Sequence, residues 1–296
     1  MKKNKKRVAP YLFIAPSLIL LLVFSIIPIF VAFSISFTDM RLSGLAEWSK
    51  INFVGFENYK DVIVDTAFKQ SLLNTVFYVV VGVPVVISLS MTMALMINAG
   101  KSKVFSIFRI IFYTPAITNV VAVAVVFSYL YNPGFGLLNY VFSWVGLGPV
   151  PWLTDPAVAK ISLIILGVWR AIGVNMLIFL AAIQGIPKEL HEAAALDGAT
   201  KWKQTTHITI PSLRFSIFFV TVTTLIIWLQ LFEEPLIMTN GGPLDSTTSM
   251  ALFVYRNGFQ YSKFGYAAAG SFILFALIII VTLLQFKIQN RNSDNE

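Results

Sequence analysis

Ile186-Pro187-Lys188-Glu189-Leu190-His191-Glu192-Ala193-Ala194-Ala195-Leu196-Asp197-Gly198-Ala199, continuing to Ile208-Thr209-Ile210-Pro211, is a polar loop between two long apolar segments. Pro187 suits a first helical position, where its fixed φ fits and its missing N–H had no partner. Glu189 and Glu192 fall in the early turns, where the helix dipole favours negative charge. Ala193, Ala194 and Ala195 are strong helix formers with small side chains. Asp197-Gly198 then stops the helix, because glycine is free to take a positive φ. The stretch predicts about three turns, near 15 Å of helix, too short to cross a bilayer. Its alanine surface lets another protein approach closely. A second, amphipathic piece runs from Thr200 to Ile210, and Pro211 starts the next apolar segment.

The surroundings of this loop are those of a membrane protein. The chain of 296 residues is 57% hydrophobic and 12% charged. Soluble domains are roughly 45–50% apolar and about 25% charged. A spanning helix needs about 20 mostly apolar residues. Six segments qualify: Tyr11–Phe37, Leu72–Ile97, Val104–Tyr131, Ile161–Gln184, Phe215–Met238 and Tyr266–Phe286. The first follows Lys2, Lys3, Lys5, Lys6 and Arg7, as a signal peptide would. Its apolar run is too long for a signal core and no A-x-A site follows, so it is expected to stay as a transmembrane helix. The expected fold is an all-α membrane protein with six transmembrane helices in one membrane domain.

Lys and Arg distribution orients the spans. The N-terminus carries five, the Lys101–Arg109 turn three, the 185–214 loop four and the tail two, which places 14 of 22 on one side. Seven lie on the other side, and Arg170 lies inside a span. Both termini are therefore expected in the cytoplasm (N-in/C-in), together with the opening loop. The domain reading is a basic cytoplasmic N-terminus at 1–10, a permease-like membrane domain at 11–286 and a cytoplasmic tail at 287–296. The stretches 38–70, 132–160 and 239–265 face outward. Phe53–Ile63 and Gly134–Phe142 each read as a turn feeding an interfacial helix with its apolar face down. Asn240-Gly241-Gly242-Pro243 reads as a turn closing the fifth span.

Several chemistries fall away. The absence of cysteine removes disulfides, iron–sulfur centres and thiol catalysis. The net charge of +8 does not point to nucleic acid, because the basic residues flank apolar segments. Gly100-Lys101-Ser102 ends like a phosphate loop, but Leu95 stands where that motif needs glycine. His191-Glu192 begins like a zinc-protease helix, but Ala195 stands where the second histidine belongs. His207 is the one other histidine, so a two-histidine zinc site has no support. The residues argue against an enzyme.

Glu192-Ala193-Ala194, three residues to Gly198, nine more to Ile208, then Ile210-Pro211, resembles the EAA signature of binding-protein-dependent ABC importer permeases. The likeness continues outward over nearly the whole chain. Trp169 with Asn175-Met176-Leu177-Ile178-Phe179-Leu180, the Thr239-Asn240-Gly241-Gly242-Pro243 turn and Asn52-Phe53-Val54-Gly55-Phe56-Glu57-Asn58-Tyr59 are similar to the carbohydrate branch. The resemblance implies the type I ABC importer permease fold and a MalF-like member of a permease pair. It also implies a second, homologous MalG-like permease, a cytosolic ATPase dimer, an extracellular solute-binding protein and a sugar substrate within the lipid bilayer. No cofactor is implied in this subunit, since ATP binds the partner. The loop would be the coupling helix seated in the ATPase, with Leu190, Glu192, Ala193, Ala194, Asp197 and Gly198 at the contact. His191 stands where an aromatic is common.

Polar residues inside spans are costly and usually functional. Arg170 lies near mid-depth of the fourth span, with Gly167 and Val174 on neighbouring turns of the same face. Two readings stand for it: a pore-lining cation, or an ion pair with Glu233 or Glu234. In the fifth span Thr224 and Trp228 share a face at i, i+4. The resemblance puts these residues where the maltose-type transporter contacts sugar. Trp228 either stacks on a sugar ring or packs against lipid or a partner. Thr223, Gln230 and Glu234 form an adjoining stripe. The maltose-type members carry more polar and aromatic side chains than Gly167 and Val174, so the sugar itself is not carried across. Ala267-Ala268-Ala269-Gly270-Ser271 in the sixth span reads as helix packing. The rival reading, a self-sufficient secondary carrier, needs inverted repeats and midplane acids. Neither is evident.

Overall fold

The computed structural model describes residues 5–100 and 103–293. Lys2, Lys3, Lys101 and Ser102, and the end of the tail from 294, lie outside the described residues. Among the described residues the regular elements are helices, with two isolated backbone bridges. Four helices are long and apolar enough to cross a membrane: Pro10–Ile35, Thr66–Ala99, Pro156–Gln184 and Phe264–Asn290. Two bent pairs complete six: Ile107–Ile117 with Val120–Leu130, at 100°, and Lys201–Ser212 with Arg214–Leu229, at 63°.

The bent pairs correct the expectation of six continuous spans. The third breaks at Thr118-Asn119. Pro115 has no N–H for the helix ladder, and the Thr118 hydroxyl donates to its carbonyl at 2.6 Å. Asn119 turns extended and accepts from the Val121 and Ala122 amides at 2.9 and 3.3 Å. It therefore caps a new helix inside an apolar run. The fifth span ends at Leu229, well before Met238. Its backbone is irregular at 231–232, and the freed Leu231 carbonyl accepts from the Ser249 hydroxyl at 2.5 Å. Pro235 then opens a separate wide turn, Pro235–Thr239, ended by Asn240 and Gly241 at positive φ.

Other boundaries also move. Asp155 caps the fourth helix and Pro156 begins it, so Lys160 lies within the helix instead of in a loop. The sixth helix continues past Phe286 to Ser293, so the expected tail is largely helical. Pro187 precedes the loop helix, with ψ 130°, and helix begins at Lys188.

The chain forms two compact units. One contains the chain up to Asp65 with Val254–Phe275. Here Gly265 lies against the Thr38 carbonyl, where a Cβ would come within 1.9 Å. The Tyr266 hydroxyl donates to Asp65 Oδ2 at 2.6 Å. Ala267 sits against Gly258, so this part of the small-residue run packs within the subunit.

The other unit contains Thr66–Phe253 and the chain from Ala276. The second and fourth helices pack along each other, around a core of Tyr78, Val86, Leu163, Leu166 and Trp228. A second cluster, with Met176, Phe179, Ile183, Leu213 and Val220, lies towards the loop. Gly173 lets the Phe112 carbonyl approach so closely that a Cβ would stand 2.1 Å away. That contact joins the third segment to the fourth helix.

Candidate functional site

The loop helix runs Lys188–Leu196 and ends as its sequence predicts. Gly198 takes φ +79° with open space around it. The Ala199 amide donates to the Ala194 carbonyl at 2.8 Å, and the Gly198 amide to Ala195 at 3.1 Å. This is a Schellman closure, which satisfies the last carbonyls of a helix. Thr200 then caps the next helix. His191 Nε2 lies 3.1 Å from Thr209 Oγ1, so the residue at the aromatic position ties the two pieces of the loop together.

Leu190, Glu192, Ala193, Asp197 and Gly198 are exposed and Ala194 is half-buried. Two apolar residues outside the expected set are the most exposed here, Leu196 at 90% and Trp202 at 75%. The available signal was spacing. Leu196 follows Ala193 by three residues, on the same helix face.

The helices on either side of this loop line a cavity of about 340 Å³. Gly167, Arg170, Val174, Thr224, Trp228 and Glu234 all border it, so the six expected pathway residues share one wall. Arg170 Nη1 donates to Glu234 Oε1 at 2.6 Å. The side chains are 25% and 4% exposed. Arg170 therefore both borders the cavity and is paired, and its partner is Glu234. Glu233 is exposed. The interrupted fifth span makes this pairing possible, since the break places Glu234 in the irregular turn after Leu229.

Trp228 is 2% exposed. Its ring fills the space over two glycines. A Cβ on Gly82 would fall 1.8 Å from the ring, and one on Gly167 would fall 3.2 Å away. The packing reading thus describes most of this ring, and the packing partner is within the chain. Thr224 is buried and accepts from Asn175 Nδ2 at 3.3 Å. Asn175 also borders the cavity and was not among the expected site residues. Val174 is open. Thr223 borders the cavity, whereas Gln230 is outside it and donates to the Ile226 carbonyl at 3.3 Å. Among the described residues no group of three His, Cys, Asp or Glu side chains could hold a metal ion.

Residues 67–294 match the family model described as the binding-protein-dependent transport system inner membrane component. The chain belongs to this family. It is a multi-pass membrane permease of an importer, a transport subunit instead of a catalyst, and the secondary-carrier reading gives way. The lactose transport system permease LacF of Rhizobium radiobacter is 34% identical over 281 residues, covering 93% of this chain and 92% of the relative. The trehalose/maltose permease MalF of Thermococcus litoralis is 31% identical over 278 residues, covering 94% and 92%. A solved bacterial alginate ABC transporter, in complex with a pentasaccharide-bound periplasmic protein, matches with a TM-score of 0.84 at 26% identity. That match covers 98% of this chain and 96% of the other.

Proposed function

We propose that this chain is the MalF-like, membrane-spanning permease through which an ATP-driven importer passes a sugar. The names of the relatives support the substrate class, since they concern lactose, trehalose or maltose, and alginate. One observation carries the mechanism: a helix that exposes Leu190 and Leu196 lies in the connection between the two helices that border the cavity. Leu190, Leu196 and Trp202, exposed together on one loop, support a protein contact there. The partner is a cytosolic ATPase dimer, which grips Leu190, Glu192, Ala193, Ala194, Asp197 and Gly198, with Leu196 and Trp202 added to that set. Movement of this handle shifts the fourth and fifth helices against each other and opens or closes the cavity. Gly167, Arg170, Val174, Thr224, Trp228 and Glu234 form this subunit's share of the sugar path. An extracellular binding protein delivers the sugar and a MalG-like permease supplies the other wall. The lysine and arginine distribution supports cytoplasmic termini and a cytoplasmic loop 186–211. Residues 1–10 are the basic N-terminus, 11–286 the permease domain and 287–296 the tail. ATP and any metal belong to the partner.

Co-purification tests this reading. An ATPase should accompany the wild-type chain. The double variant Glu192→Trp/Gly198→Leu should lose it by about tenfold, equal to ~1.4 kcal/mol of binding. The variant should still extract from the membrane at wild-type yield. Sugar uptake that persists with no ATPase present would sink the proposal.

A further inference from the structure

The cavity between the fourth and fifth helices is bordered by one cation and one anion, and each neutralises the other. Arg170 and Glu234 meet at 2.6 Å. The remaining polar groups of the wall, Asn175, Thr223 and Thr224, are uncharged. Arginine has five N–H donors. Nη1 engages Glu234, while Nε is buried and donates to nothing among the described residues. A buried Nε is closed to a ligand, so the donor capacity that remains lies on the other guanidinium N–H groups of this 25%-exposed side chain, while its charge is cancelled. Hydroxyl groups match such a surface. An anion does not, because drawing Arg170 towards itself would leave the Glu234 carboxylate buried and unpaired. Rejection of acidic sugars is not a property of the fold as such, since a structurally similar transporter imports the acidic polysaccharide alginate.

We propose that the cavity selects against charge, passing uncharged sugars and rejecting acidic ones such as uronides, with Glu234 as the specificity-determining residue. Glu234 acts by cancelling Arg170, and removing it would convert the wall into an anion site. The inference rests on the cavity being the sugar path.

The chain contains no cysteine, so a single thiol reports on the cavity without background from this subunit. Val174 borders the cavity and is 43% exposed. In the assembled importer, with thiols of the other subunits blocked, Val174→Cys is reacted with anionic sulfonatoethyl and cationic trimethylammonioethyl methanethiosulfonate. Each rate is divided by the rate for free mercaptoethanol. The normalised ratio should lie within about threefold of one. Adding Glu234→Gln should move it about tenfold towards the anionic reagent, as one bare charge about 6 Å away requires in a water-filled cavity, where the two reagents respond with opposite sign. Adding Arg170→Gln should move it less far the other way, because a buried carboxylate without a partner takes up a proton. The double variant Arg170→Gln/Glu234→Gln buries no lone charge, so it is available if a single variant fails to fold. It should return the ratio to that of the parent. A parent ratio already skewed tenfold, or a double variant that departs from the parent, overturns the inference. The path reading is judged separately. If the thiol of Val174→Cys is fully modified and uptake of the importer's own sugar continues, the cavity is not the path, whatever the ratio.

Discussion

The loop helix Lys188–Leu196 and the cavity hang on the same two long helices and break opposite rules of burial. The loop leaves Leu196 in solvent at 90% exposure. The cavity hides a glutamate at 4%. Soluble surfaces tolerate a scattered leucine, but a buried carboxylate almost always has a partner. The difference separates two kinds of requirement. The loop is folded by its own local chemistry, and its exposed side chains are free to serve another protein. The cavity is folded by contacts between distant segments, so its polar residues carry structure and function together. Changes in the cavity should reduce the amount of folded protein, while changes on the loop face should not.

The largest effect should come from breaking the ion pair alone. Arg170→Ala strands a buried carboxylate, which costs about 3–5 kcal/mol. Thermal unfolding in detergent should show it. Arg170→Met/Glu234→Leu should regain most of that stability and still fail to transport. A single variant of wild-type stability would break the contrast, because Arg170 would then be a solvated pore residue.

A smaller effect should follow at Gly82. Gly82→Ala places a Cβ 1.8 Å from the Trp228 ring, and overpacking of this kind costs about 1–3 kcal/mol. Pairing it with Trp228→Phe should return part of the loss. The matched change on the loop, Ala193→Leu, adds bulk to an exposed face and should move the melting temperature by no more than about 0.5 kcal/mol allows. Equal losses at the two sites would erase the distinction.

The smallest effect concerns an exposed carboxylate, Asp39. It accepts from the Asn52 side chain and amide at 2.9 and 2.7 Å. The Asn52 side-chain bond first, and the amide bond next, hold Asp39 below the usual carboxylate range. A depressed folded pKa means that the stabilisation is complete above the ordinary carboxylate value and is lost as pH falls through the lowered one. Protection of the Asn52 amide from exchange, corrected for its intrinsic pH dependence, should be constant from about pH 8 to 5 and fall in more acid solution. In Asp39→Asn the corrected protection should not change with pH.

What the sequence disclosed follows the same division. The loop was legible because its determinants are adjacent: three alanines, an aspartate, and a glycine that takes φ +79°. Two positions were misplaced: Pro187, whose extended ψ sets it just before the helix, and Pro211, which lies in Ile210–Ser212 before the 63° bend while the fifth helix begins at Arg214. The cavity wall was legible as a list, from helical spacing and family likeness. Its interactions were not. Whether Arg170 faces Glu233 or Glu234 depends on the break after Leu229, which an averaged apolar window smooths over although Glu233-Glu234-Pro235 stand inside it. The bend at Thr118-Asn119 was hidden for the same reason, since one capping asparagine outweighs a run of valines. Burial of Trp228 is decided by Gly82, far away along the chain.

That last pairing also sets an order in which this protein can change. While the tryptophan stands, every side chain larger than hydrogen at position 82 begins with a collision. Once the ring has shrunk, the glycine is released and many residues fit. The two substitutions are therefore open in one sequence and obstructed in the other, as expected for residues in direct contact. Lineages descending from this chain should lose the tryptophan before the glycine.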